Sequence, residues 1–133
     1  MPKTTLFENE YSVIYLHEED KIIHHVVKKY LHGERLRELL VKGVEVMEAR
    51  GATKWLSNDR ENGAMLLEDK EWGDRVWFPR AVAAGWRHWA ILPPKKIVGQ
   101  MSLNQKADQS RSGGVEVKVF VNEDEALAWL KSA

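Results

Sequence analysis

Three times along this chain a strand-like apolar run is followed by a helix-like one, and that recurrence constrains the fold more than any composition figure. The clearest instance closes the chain. Val115, Val117, Val119 and Val121 alternate with Glu116, Lys118 and Phe120, the period-two pattern of a strand. Asn122-Glu-Asp-Glu125 then offers an N-cap and a capping-box partner, with acid at the positive end of a helix whose buried side is Ala126, Leu127, Trp129 and Leu130. Earlier, Trp86 to Leu92 reads as a strand stopped by Pro93-Pro94, and Lys95 to about Ala107 as a weaker amphipathic helix carrying Ile97, Val98 and Met101. Earlier still, Thr53 to Leu56 is a short strand, and the stretch from about Glu68 to Ala84 is helical and apolar on more than one side. Strands joined through helices pair in parallel, because the crossover is needed to bring the second strand back alongside the first.

The start of the chain differs. Tyr11, Val13 and Tyr15 share one face of the run Tyr11–His17, a second β-branched run spans Ile22 to Tyr30, and the short polar Glu18–Lys21 between them makes a hairpin. Leu36, Leu39, Leu40, Gly43 and Met47 recur at helical spacing from Glu34 to Arg50, with Gly51 placed as the C-cap. Pro79 removes a backbone donor inside the second helix and predicts a kink or break near Phe78. Asp108–Gly114, with Ser110, Ser112 and a Gly pair, reads as a mobile loop. The expected fold is a single α/β domain over 1–133 of order β-β-α-β-α-β-α-β-α, with a mixed, mostly parallel sheet.

Composition excludes several function classes. Twenty basic residues balance twenty acidic ones, so there is no cationic excess with which to neutralise phosphates or an anionic membrane. Nucleic acid is therefore not an expected partner. No apolar run approaches the roughly 20 residues of a membrane-spanning helix. The N-terminal residues do not read as a secretory leader and cysteine is absent, which points to a cytoplasmic setting.

The element order and the ending Val117-Lys-Val-Phe120 with Glu123-Asp-Glu-Ala-Leu-Ala-Trp-Leu130 resemble the SpoIIAA-like (STAS/SEC14-type) domain family over nearly the whole chain. Within it, Lys54-Trp-Leu-Ser-Asn-Asp-Arg60, Trp77-Phe-Pro-Arg-Ala81 and Gly85-Trp-Arg-His-Trp-Ala90 look closest to a branch of small, stand-alone bacterial proteins. The resemblance implies a mixed sheet with helices mainly on one face. It implies two precedents for function: an anti-sigma-factor antagonist switched by phosphorylation of a serine in an Asp-Ser-x-Gly-like motif, and binding of a lipid or small apolar ligand. Here the corresponding stretch is Asn58-Asp-Arg-Glu-Asn-Gly63, with Arg60 where the serine would stand, so the switch motif is missing.

Five histidines, His17, His24, His25, His32 and His88, show no metal-ligand spacing. His17 can approach His24 or His25 across the hairpin, whereas adjacent His24 and His25 must face opposite sides of their strand. No metal and no cofactor is expected. A nucleophile elbow and a phosphate-binding glycine loop are both missing. The best-placed functional residues are Asn58, Asp59 and Arg60, in a loop leaving an interior parallel strand, where Asp59 and Arg60 together would bind a polar group. The others are Trp72, Trp77 and Phe78 on the interrupted helix. Of six tryptophans, Trp72, Trp77, Trp86 and Trp89 concentrate there, and if Trp86 and Trp89 share a strand they face opposite sides. The first expectation is a non-catalytic module acting through protein contacts, with a homodimer through the Trp-rich helix. The alternative is a carrier or sensor of a small apolar ligand held between that helix and the sheet. An enzyme with an unfamiliar site ranks third.

Overall fold

A computed structural model describes residues 3–98 and 109–133. Its sheet has seven strands: β1 (Lys3–Glu8), β2 (Ser12–His17), β3 (Ile22–Val27), β4 (Lys54–Asn58), β5 (His88–Leu92), β6 (Gln109–Ser112) and β7 (Val115–Val119). They are ordered β1-β2-β3-β4-β5-β7-β6. The pairs β3–β4, β4–β5 and β5–β7 are parallel, as the strand–helix recurrence requires. Antiparallel ribbons flank this parallel centre on both sides.

Two strands go beyond the sequence expectation, so the sheet is more evenly mixed than predicted. β1 is an edge strand, largely exposed, and its sequence carries no burial pattern to betray it. β6 occupies the stretch expected to be a mobile loop: Gly113 and Gly114, at φ 57° and 89°, turn β6 back onto β7 in a hairpin that needs two residues of positive φ.

α1 (Gly33–Arg50) ends as expected, with Gly51 at φ 70° and its N–H donating to the Met47 carbonyl. Its start is unusual. His32 supplies no side-chain cap, and the Gly33 N–H instead donates to Oδ2 of Asp69 at 2.9 Å. Asp69 lies on α2 (Leu67–Trp72) and is buried, with its other oxygen 3.5 Å from Nε of Arg37. A carboxylate from another helix thus stabilises the positive end of α1 and pins the two helices together.

The predicted break is a π-helical turn over Gly73–Trp77, after which α3 (Phe78–Ala83) starts with Pro79 in its first turn. The missing proline N–H is harmless there, and the widened turn ahead of it absorbs the steric clash. α4 covers Lys95–Val98. The remainder of the expected helix to Ala107 lies outside the described residues. The closing helix, α5 (Glu123–Ser132), is capped by Asn122, whose side chain accepts from the Glu125 N–H.

Both faces of the sheet are covered, in place of the expected one-sided arrangement. On one face α1 and the α2–π–α3 segment pack on Ile14, Leu16, Ile23, Val27 and Trp55. On the other α5 packs Ala126 and Leu130 on Ile22, Leu56, Ala90 and Leu92. Alternate residues of the same strands therefore belong to two cores. Among the described residues no helix is long and apolar enough to cross a membrane.

Candidate functional site

Trp55 rises from β4 beneath α1, where Gly43 leaves room for it. A Cβ at position 43 would stand 2.0 Å from the Trp55 ring. Around Trp55 gather Trp77 and Trp86, at ring-centroid distances of 5.4 and 5.7 Å, and Trp86 in turn meets Trp89 at 4.8 Å and Phe78 at 5.5 Å. Trp86 and Trp89 share this cluster because β5 begins only at His88. Trp86 lies in the preceding loop, and strand alternation does not apply to it.

The cluster forms one end of a cleft of about 490 Å³ between the sheet and the helices. His25, Ser57 and Trp89, with Asp59 bonded to His25, floor it, Leu36 and Leu40 of α1 form one wall, and Asp69, Lys70, Gly73, Asp74, Trp77 and Phe78 form the other. Asn62 and Met65, from the loop after β4, complete the lining. That loop is tied down: Asn62 accepts from the backbone N–H of Leu31 and Gly63, and the Tyr30 hydroxyl donates to the Ala64 carbonyl. The size and the mixture of apolar walls with a few polar groups are those of a small-molecule site.

The polar floor has a defined hydrogen-bond sense. The Trp55 indole N–H donates to Nδ1 of His25 at 3.0 Å. An indole nitrogen is a donor only, so Nδ1 accepts, and the His25 proton sits on Nε2. Nε2 then donates to Oδ1 of Asp59 at 2.7 Å. Ser57 is buried and its Oγ accepts from the Trp89 indole at 2.8 Å. Although Ser57 pairs with His25 in the parallel register, both imidazole nitrogens are committed elsewhere. The imidazole is thus not placed to take the Ser57 proton, as a nucleophilic pair requires. At the mouth, the Lys70 ammonium pairs with Asp74 at 2.9 Å, which raises the Lys70 pKa.

The loop predicted to act as a unit is divided three ways. Asp59 enters the cleft. Asn58 points to the opposite face, its amide donating to Oε2 of Glu123 at 2.5 Å. Arg60 lines a separate, smaller hollow with Pro93, Lys95, Phe120 and Val121. Asp59 and Arg60, both beyond the end of β4, do not converge: they line different hollows. On the interrupted helix, Trp77 is 7% exposed and its indole donates to the Leu40 carbonyl, so it is a wall of the cleft and part of the core. Phe78 lines the cleft beside it. Trp72 turns away to pack under the Arg37 guanidinium, 5.3 Å from its ring. Sequence reasoning noted His25 and Trp89 without choosing them as site residues, and did not choose Ser57, Asn62 or Asp69. The signal for His25 was its alternation with His24, which separates the two faces without saying which one carries a cleft.

On the α5 face a second polar group is closed over. Nε2 of His17 lies 3.1 Å from Nδ1 of His24, and Nε2 of His24 lies 3.2 Å from Oε2 of Glu123. Both histidines are buried, and this is the cross-hairpin approach of His17 expected from the sequence. Burial, followed by repulsion from His24, pushes the His17 pKa down to about 4. The hydrogen bond from His24, reinforced by the Asn58 amide, holds Glu123 down at about 2. Among the described residues, no three His, Asp or Glu side chains are arranged to hold a metal ion.

No family model, no curated protein and no solved structure matches the chain.

Proposed function

We propose that this chain is a non-catalytic binding module of SpoIIAA-like type whose cleft holds a small molecule with a flat, largely apolar body. The observation that carries the reading is the cleft itself, walled by Leu36, Leu40, Trp77, Phe78 and Trp89. Aromatic walls of this kind suit a planar ligand, which stacks on them with little loss of side-chain entropy. The commitment of both His25 nitrogens supports binding over catalysis. Element order and the closing Val117–Leu130 stretch support the family assignment.

The test is a titration with the neutral probe 1-naphthylmethanol, followed through the six tryptophan indole N–H signals. Trp77 and Trp89 are expected to shift while Trp129, on the α5 face, stays in place. Equal movement of Trp129, or no movement at all, would remove the cleft from consideration as a binding site.

A second reading, docking of a protein partner, is favoured by the exposed run Met65, Leu66 and Leu67 beside the cleft mouth, of which Leu67 is 69% exposed. The Trp-rich helix offers such a partner Val76, since Trp77 is buried. Light scattering over a concentration series would decide it: self-association abolished by Leu67→Asp supports the contact surface, and a monomer at every concentration removes the homodimer.

A further inference from the structure

We propose that the cleft selects an organic cation, a ligand in which an apolar ring system carries an ammonium or similar positively charged group, and disfavours carboxylate or phosphate ligands of the same body. The inference rests on the reading of the cleft as a ligand site and adds the charge of the occupant.

The argument is a balance of charge inside the cleft. Three carboxylates, Asp59, Asp69 and Asp74, line it against one ammonium, Lys70. Asp74 and Lys70 offset each other at the exposed mouth, where solvent also screens them. Asp69 is already engaged by the N-terminus of α1 and by Arg37. Asp59 remains, and its ion-pair partner among the described residues is His25. With Nδ1 of that ring committed as acceptor from Trp55, the imidazole carries a single proton and brings no charge to the pair. The hydrogen bond from Nε2 orients the Asp59 carboxylate without neutralising it. A negative charge held on the floor of a partly desolvated, apolar cleft attracts a ligand cation and repels a ligand anion more strongly than it would in water.

The walls point the same way. Trp77 and Trp89 lie with their rings 6.2 Å apart at 72°, and Phe78 lies 6.5 Å from Trp89. Their faces carry negative quadrupole potential, which favours an ammonium brought near them. The lining thus combines a carboxylate with aromatic rings, the two elements that recognise ammonium groups.

The experiment compares three probes of one shape on the unaltered protein: 1-naphthylmethylamine, 1-naphthylmethanol and 1-naphthoate, titrated at neutral pH and low salt, with dissociation constants from indole N–H shifts. The amine is expected to bind at least about tenfold more tightly than the alcohol, and the carboxylate more weakly than either. In Asp59→Asn, whose amide oxygen still accepts from His25, the ratio of amine to alcohol affinity should fall to about one, whatever the change in either affinity alone. If the alcohol binds at Trp77 and Trp89 but the carboxylate matches or exceeds the amine, the charge assignment is wrong and the cleft stands. If the amine keeps its advantage in Asp59→Asn, Asp59 is not its source and the inference fails. If none of the three binds there, the cleft reading falls with it.

Discussion

The two faces of the central sheet are built from alternate residues of the same strands and differ in what they do with polar groups. On the helix-pair face His25, Ser57 and Asp59 stand at the floor of an open cleft. On the α5 face His17, His24, Asn58 and Glu123 are locked together under a helix end. His24 and His25 are neighbours in sequence, yet one ties α5 to the sheet and the other orients a carboxylate toward a cleft. A single-residue step across a pleated strand exchanges a structural environment for a candidate binding one. What distinguishes the faces is coverage: α5 closes directly on β4 and β5, whereas a cleft lies open between the sheet and the helices of the other face.

The largest expected effect should separate the faces by pH. The folded state holds His17 at about 4 against an ordinary 6.5, and Glu123 at about 2 against 4.5. In both cases the unfolded chain binds the proton more readily, so stability rises with pH through these windows and is lost on acidification. Loss begins as pH falls below 6.5, continues through 4 on account of His17, and extends toward 2 on account of Glu123, with a slope of about 1.4 kcal/mol per pH unit for each proton. Urea unfolding across pH 3–7 measures it. His17→Gln should flatten the upper segment, and an unchanged slope in that variant would show that the closed network is not the source.

Next in size is Gly43→Ala, aimed at the other face. In an ordinary helix the change adds about 1 kcal/mol of stability. Here the new methyl group overlaps the Trp55 ring, and overpacking should cost up to about 3 kcal/mol, giving a net loss. The indole signals of Trp55, Trp77 and Trp86 should move while Trp129 stays. A stabilised variant would mean that α1 does not lie on Trp55 as described.

Glu123→Gln should cost about 1–2 kcal/mol at neutral pH, the usual cost of weakening a partly buried charged hydrogen-bond acceptor. It should also remove the part of the acid profile below 4.5 while leaving probe binding in the cleft unchanged. Coupling between the two would break the separation of the faces. Smallest is Asn122→Ala, expected to lose about 1 kcal/mol through the cap of α5, read as a shift in urea midpoint at constant slope.

Much of this architecture was legible because it is written locally. The valine alternation of β7, the Asn122 cap, Gly51 in its left-handed conformation and the interruption ahead of Pro79 each follow from a few adjacent residues. β6 was legible in principle, since a Gly pair between two extended runs is a hairpin signal, but its serines drew the reading toward a loop. β1 was not, because an exposed edge strand needs no burial pattern. The candidate site was legible only in fragments: Asp59, Trp77 and Phe78 were singled out and do line the cleft, whereas Asn58, Arg60 and Trp72 turned elsewhere.

By itself, then, the sequence determined the order of most elements, the parallel centre of the sheet and the separation of His24 from His25, because backbone propensity, capping and strand periodicity act over a few residues. Only the tertiary structure decided that His25, Ser57, Asp59 and Trp89 share a floor, that Asp69 caps a helix more than thirty residues earlier in the chain, and that Trp86 and Trp89 face the same way. Those outcomes depend on parallel register and helix placement, which are set by the packing of large side chains such as Trp55 against Gly43. Such packing is a property of distant segments together, and no local pattern encodes it.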